Sequence, residues 1–213
     1  VPSKGQSQQR LHTFFKMKIL TTPFTTPYNS APFSQININD FKPAFEETIA
    51  MARAEIDAII ENPAAPTFEN TIVALDFSGE ALDRLSNIFF NLNSAETSDE
   101  LQKIAQEVSP LLTAFGNDIT LNEALFQRVK SVHDQKSKLN LTPEQATLLD
   151  KKFKGFSRNG ALLSDENKSK LREIDTELAK IKLVFGENVL AETNNYQLHI
   201  THEARSEERR VGK

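Results

Sequence analysis

The sequence predicts an all-α domain of about six antiparallel helices with a short C-terminal strand. Three observations carry this expectation. Apolar residues recur at helical spacing in successive stretches of the chain. Prolines, cap-forming side chains and glycines stand where those stretches must begin and end. Only Tyr196 to Ile200 alternates apolar with polar residues as a half-buried strand does, with Tyr196, Leu198 and Ile200 set against Gln197 and His199. No fixed-period repeat is visible, and the lack of alternating strands and of a Gly-rich phosphate loop excludes a doubly wound nucleotide fold.

The first expected element is extended. Pro23, Pro27 and Pro32 are spaced so that no helix forms between Thr21 and Phe33. Asn39 or Asp40 then offers a cap, with Pro43 in the first turn, for a helix running to about Glu61 whose apolar face is Phe41, Phe45, Ile49, Ala52, Ile56 and Ile59. Asn62-Pro63-Ala64-Ala65-Pro66 ends it, and Thr67 caps the next helix with Asn70 in its first turn. There Ile72, Leu75, Leu82, Leu85, Phe89 and Leu92 share a stripe with Gly79, whose place among them predicts a close helix crossing.

Ser98 caps a third helix with Leu101, Ile104, Val108, Leu111, Leu112 and Phe115 inward and a bend at Pro110. Asn122 caps a fourth carrying Leu125, Val129 and Val132. Thr142-Pro143-Glu144-Gln145 starts a fifth with a cap, a proline at the first helical position and an acid at the positive end of the dipole. Its face is Ala146, Leu149, Phe153 and Phe156, and Gly160 fits its left-handed close. Ser164 opens the last, with Leu171, Ile174, Leu178, Ile181 and Phe185 on one side.

Composition bounds the function. The 213 residues, 38% hydrophobic and 25% charged, are enough for a real core, and no apolar run approaches the roughly 20 residues of a membrane span. The absence of cysteine removes disulfides and thiolate metal sites without fixing the compartment. Three basic residues and no acid make the first 16 residues +3, and four basic against two acidic residues make 205–213 +2; the formal −4 therefore leaves −9 on the rest. That acidic body argues against nucleic acid and anionic membrane as partners.

The two ends differ from the middle. Residues 1–16 are polar and aperiodic and precede Met17, so they are expected to be a non-native or disordered leader. Residues 17–40 are the extended Pro-rich segment and 41–204 the helical domain. Arg205 to Lys213 resemble a translated sequencing adapter, with the natural sequence expected to break near Ala204.

Candidate chemistry is sparse. His199-Ile200-Thr201-His202-Glu203 lacks the second histidine of His-Glu-x-x-His, and in a strand His199 and His202 would point to opposite faces. Lys151, Lys152, Lys154 and Arg158 fall on the wet face of a helix whose dry stripe holds Phe153 and Phe156. The pairs Glu46-Glu47, Asp165-Glu166 and Glu207-Glu208 sit at helix starts or in the tail, and His133 and His12 have no nucleophile to serve. No catalytic, cofactor-binding or metal residue is assigned.

Longer motifs carry a resemblance. Ala31-Pro32-Phe33, Phe41-Lys42-Pro43-Ala44-Phe45, Asn62-Pro63, Pro66-Thr67-Phe68-Glu69-Asn70-Thr71-Ile72, Arg158-Asn159-Gly160-Ala161 and Phe185-Gly186-Glu187-Asn188-Val189-Leu190 stand in the order and spacing of the thimet-oligopeptidase-like zinc metallopeptidases. Within that family the chain looks most like the bacterial peptidyl-dipeptidase and oligopeptidase A branch, from about Pro23 to Ala204. The resemblance implies the N-terminal, channel-forming half of a zinc peptidase acting on short peptides in the cytoplasm, with the periplasm left open. Zinc and its His-Glu-x-x-His would belong to a later half, so this segment is expected to be inactive alone. A stand-alone helical protein-interaction module without enzymatic activity is the alternative.

Overall fold

Seven α-helices and no strand occur among the described residues, 18–201 of the computed structural model. The expected leader, the adapter-like tail, His12, His202 and Glu203 lie outside them. The chain divides after Lys180 into two units.

Within the first unit, residues 22–40 form three 3-10 turns, at Pro27–Asn29, Phe33–Gln35 and Ile38–Asp40. Helix α1, Phe41–Ile60, follows directly. Asp40 stands at its N-cap position without a side-chain bond; Asn37 instead caps the preceding turn, accepting from the Asn39 N–H at 2.9 Å. The face buried is Phe41, Ala44, Phe45, Thr48, Ala52, Ile56 and Ile59, with Ile49 half-buried. Thr48 is tolerated there because its hydroxyl donates to the Ala44 carbonyl at 2.8 Å.

The connector is rigid by design of its hydrogen bonds. Asn62 Oδ1 accepts from the Ala64 N–H at 2.9 Å, and Arg128 donates to the carbonyls of Asn62 and Ala64 at 2.9 and 3.3 Å. Thr67 and Asn70 then form a reciprocal capping box: Thr67 Oγ1 accepts from the Asn70 N–H at 3.1 Å, and Asn70 Oδ1 from the Thr67 N–H at 2.8 Å. The turn they open, Phe68–Val73, is π-helical, and it leads into the short helix α2, Ala74–Phe77.

Here the structure corrects the expected continuous helix. Ser78 is extended (ψ 141°) and Gly79 left-handed (φ 79°), so the chain breaks and restarts as α3, Glu80–Ala95. A Cβ on Gly79 would lie 3.8 Å from Ala52 Cβ, an ordinary contact. The glycine therefore answers a backbone requirement and not a close crossing. Its N–H donates to Glu55 Oε2 at 2.7 Å, tying the break to α1.

Helix α4, Asp99–Thr120, starts at Ser98, whose Oγ accepts from the Leu101 N–H at 3.3 Å, and continues through Pro110. Leu111, expected inward, is 39% exposed, because the buried stripe runs instead through Leu101, Ala105, Val108 and Phe115. Asn122 caps α5, Glu123–Asp134. Helix α6, Pro143–Arg158, has the expected Thr142 cap, closed reciprocally by Gln145. Its end is the left-handed Gly160 (φ 101°), with the Ala161 N–H reaching back to the Phe156 carbonyl at 3.1 Å.

Helix α7, Asp165–Asn195, buries none of its residues. In the first unit Ile174 and Leu178 are 55% and 44% exposed; in the second, Ile181 and Phe185 are 53% and 69% exposed. The stripe that periodicity marked as inward is thus uncovered. The expected strand is also corrected: Tyr196 to Ile200 has no strand geometry, since no second strand exists among the described residues to pair with it.

Burial concentrates in two groups. Phe41, Phe45 and Phe89 are wholly buried, the Phe89 ring edge-on to the other two at 5.0 and 5.3 Å. Ile56, Ile59, Phe68, Ile72, Leu75, Phe126, Val129 and Leu149 belong to the other cluster. Helix α1 contributes to both.

The glycines give opposite tests. At Gly116, in the interior of α4, nothing lies within 4 Å of an added Cβ, so Gly116→Ala is expected to stabilise by about 1 kcal/mol through helix propensity. At Gly160 an added Cβ would meet Leu171 Cδ2 at 2.8 Å and Leu121 Cδ2 at 2.9 Å on a positive-φ backbone. Gly160→Ala is expected to destabilise by more than the roughly 1–2 kcal/mol of the left-handed backbone alone. Urea unfolding of both variants checks the two signs.

Candidate functional site

The titratable residues singled out in the sequence are dispersed. His133, at the end of α5, stacks on Phe153 with ring centroids 4.0 Å apart, and its Nε2 is 3.4 Å from Asp150 Oδ1. Lys136 lies 2.7 Å from the other Asp150 oxygen, and its hydrogen bond is the main reason the Asp150 carboxyl is held below the usual carboxylate range. No nucleophile joins this group. His199 is exposed in the irregular segment after α7.

The basic residues of α6 divide as helical spacing requires. Lys151, Lys154 and Arg158 are exposed and Lys152 pairs with Asp76 at 2.9 Å, while Phe156 is buried and Phe153 stacks on Phe126. Among the described residues no three His, Cys, Asp or Glu side chains converge as metal ligands. Nor is any helix among them long and apolar enough to cross a membrane.

What the fold does assemble was invisible in the sequence. Asp118 of α4 receives Arg53 of α1 at 2.8 Å on one oxygen and Arg172 of α7 at 2.7 Å on the other. Arg172 also donates to the Asn117 carbonyl at 3.4 Å, and Arg53 lies over the Phe115 ring, 5.6 Å from its centroid. These partners are 65 and 54 positions apart in the chain, so no local pattern announces them. Burial is the largest single influence on Asp118 and pushes its carboxyl up; the two guanidiniums together outweigh it and leave the carboxyl below its ordinary value.

Two clefts flank this clamp. One, of about 400 Å³, includes Arg53, Asp57, Asp118, Glu123 and Arg172 in its walls. The other, of about 600 Å³, lies between α4, the end of α6 and the start of α7 and includes Gly116, Asn117, Gly160, Leu163, Leu171 and Asp175. Neither brings an acid, a base and a nucleophile together.

Residues 45–168 match the family model described as "Neurolysin/Thimet oligopeptidase, N-terminal domain". The chain belongs to that family. It is 41% identical over 165 residues to a dipeptidyl carboxypeptidase of Salmonella typhimurium, covering 78% of this chain and 24% of that protein. Its similarity to the dipeptidyl carboxypeptidase of Escherichia coli is 40% over 167 residues, with the same coverage. An oligopeptidase A of Salmonella typhimurium is 26% identical over 185 residues, or 87% of this chain and 27% of that protein. The chain thus spans about a quarter of the length of the curated relatives it matches.

The clamp predicts an acid-side loss of stability. A carboxyl depressed in the folded state contributes stability above its unfolded pKa of about 4 and loses it as pH falls through its lower folded value. Asp118 is about one-third exposed, so solvent screening limits the contribution to about 1 kcal/mol. Asp118→Asn is expected to be less stable than the parent at neutral pH by about that amount, with the gap closing at acid pH. Denaturant unfolding at a series of pH values checks it; a gap independent of pH would contradict the assignment.

Proposed function

We propose that this chain is the N-terminal domain of a zinc metallopeptidase that hydrolyses short peptides, and that its helices line one wall of the channel that admits them. The observation that carries the reading is the match of residues 45–168 to the neurolysin and thimet oligopeptidase N-terminal domain, supported by relatives named dipeptidyl carboxypeptidase and oligopeptidase A. Such a domain acts by exclusion. A rigid wall that keeps folded proteins away from the reacting atoms confers specificity for short, unfolded chains without contributing a catalytic group.

Zinc, and the residues that bind it, would on this reading belong to a later part of the whole protein. Cytoplasmic placement, with the periplasm as the alternative, is part of the proposal. The exposed apolar residues of α7, Ile174 and Leu178 in one unit and Ile181, Val184 and Phe185 in the other, support the same view, since they are the surface a larger enzyme would cover.

Two assays test this. The whole protein is expected to cleave peptides of a few residues in a chelator-sensitive reaction and to leave a folded protein intact; cleavage of the folded protein at a comparable rate would overturn the channel. The purified 213-residue chain is expected to show no chelator-sensitive hydrolysis, and measurable turnover by it would place the chemistry within these residues.

A further inference from the structure

Within the first unit, the start of α7 turns its polar side inward. Its half-buried residues there are Lys168, Leu171, Arg172, Asp175, Thr176 and Ala179, and only Leu171 among them is a large apolar side chain. Ile174 and Leu178 are the exposed ones. A helix on a globular domain ordinarily docks by its apolar stripe and leaves the polar face wet. Here the faces are reversed, so apolar burial contributes little to where the start of α7 lies.

The positioning contacts come from two adjacent residues. Arg172 donates to Asp118 Oδ1 at 2.7 Å and to the Asn117 carbonyl at 3.4 Å. Leu171 Cδ2 lies against Gly160, in the space a Cβ there would need. The side chains of Arg172 and Asp118 are 41% and 35% exposed, and ion pairs so open to water are weak and screened by salt. Just before α7 the chain leaves the core: Ala161 is buried, whereas Leu162, Leu163 and Ser164 are exposed. A stretch of that kind takes up backbone rotation without breaking buried apolar contacts.

We infer that the start of α7 is a latched arm, which pivots at residues 162–164 and is held on α4 by Arg172, so that release of Arg172 from Asp118 widens the cleft between the two helices. Leu171 and Asp175 line that cleft of about 600 Å³ from the α7 side, and Gly116 and Asn117 from the α4 side, so the latch sets its width. Arg53 shares the Asp118 carboxylate but belongs to α1. It steadies the acceptor and does not hold the arm.

The chain has no cysteine, so Ala114→Cys in α4 and Glu177→Cys in α7, both at exposed positions, supply the labelling points for a pair of spin labels. Pulsed electron paramagnetic resonance then reads the distance across the latch in the 213-residue chain. A short distance is expected to dominate. Arg172→Gln is expected to raise the ratio of long to short distances about three- to fivefold, about as much as a half-exposed ion pair supports. Taking the labelled parent from about 0.01 M to about 1 M salt, which cuts the screening length about tenfold, is expected to raise the same ratio, and to add nothing in Arg172→Gln. Arg53→Gln, which removes the other guanidinium from Asp118, is expected to leave the ratio unchanged. An unaltered ratio in Arg172→Gln, an equal rise in Arg53→Gln, or a salt-independent ratio in the parent would overturn the latch.

Discussion

Burial of one face of α1 is the constraint on which the other helices of the first unit depend. From Phe41 to Ile59 that face meets α3 and α4 at one end and the cluster of α2, α5 and the π turn at the other. Each fully buried phenylalanine or isoleucine contributes about 1.5–3 kcal/mol, against at most about 1 kcal/mol for a half-exposed ion pair such as Arg53 with Asp118. Apolar contact therefore sets which helices meet. The polar groups act afterwards, fixing ends and breaks: Thr67 with Asn70 at the start of the π turn, Glu55 at the Gly79 N–H, and Arg128 on the Asn62 connector.

This division explains what could be read in the chain. Caps are local, so Thr67, Ser98, Asn122 and Thr142 announced their helices within three residues, and each makes the expected bond. Gly79 was misread because a glycine on an apolar stripe has two physical meanings, close approach and positive φ, and only backbone geometry separates them. Leu111 and the α7 stripe were misread for another reason. Periodicity marks a face that could be buried, but burial requires something to cover it, and in α7 Ile174 and Leu178 remain open to solvent. Tyr196 to Ile200 failed similarly, for alternation without a partner strand gives no ladder.

The candidate site was the least legible part. The Asp118 clamp joins three helices through residues far apart in sequence, and the cleft beside it depends on where α4 lies relative to the end of α6. Asn117 gave no signal at all, being one polar residue in an otherwise helical run. The family resemblance, by contrast, was carried by short fixed motifs such as Pro66 to Thr71, which specify turns and caps whose geometry tolerates little substitution.

The central claim is that this domain is one part of a larger peptidase and that its uncovered apolar residues are covered there. Amide hydrogen exchange across Ile174 to Leu190, compared between the 213-residue chain and the whole protein, tests it most directly. The account predicts fast exchange in the isolated chain and strong protection in the whole protein. Equal exchange in both would contradict it.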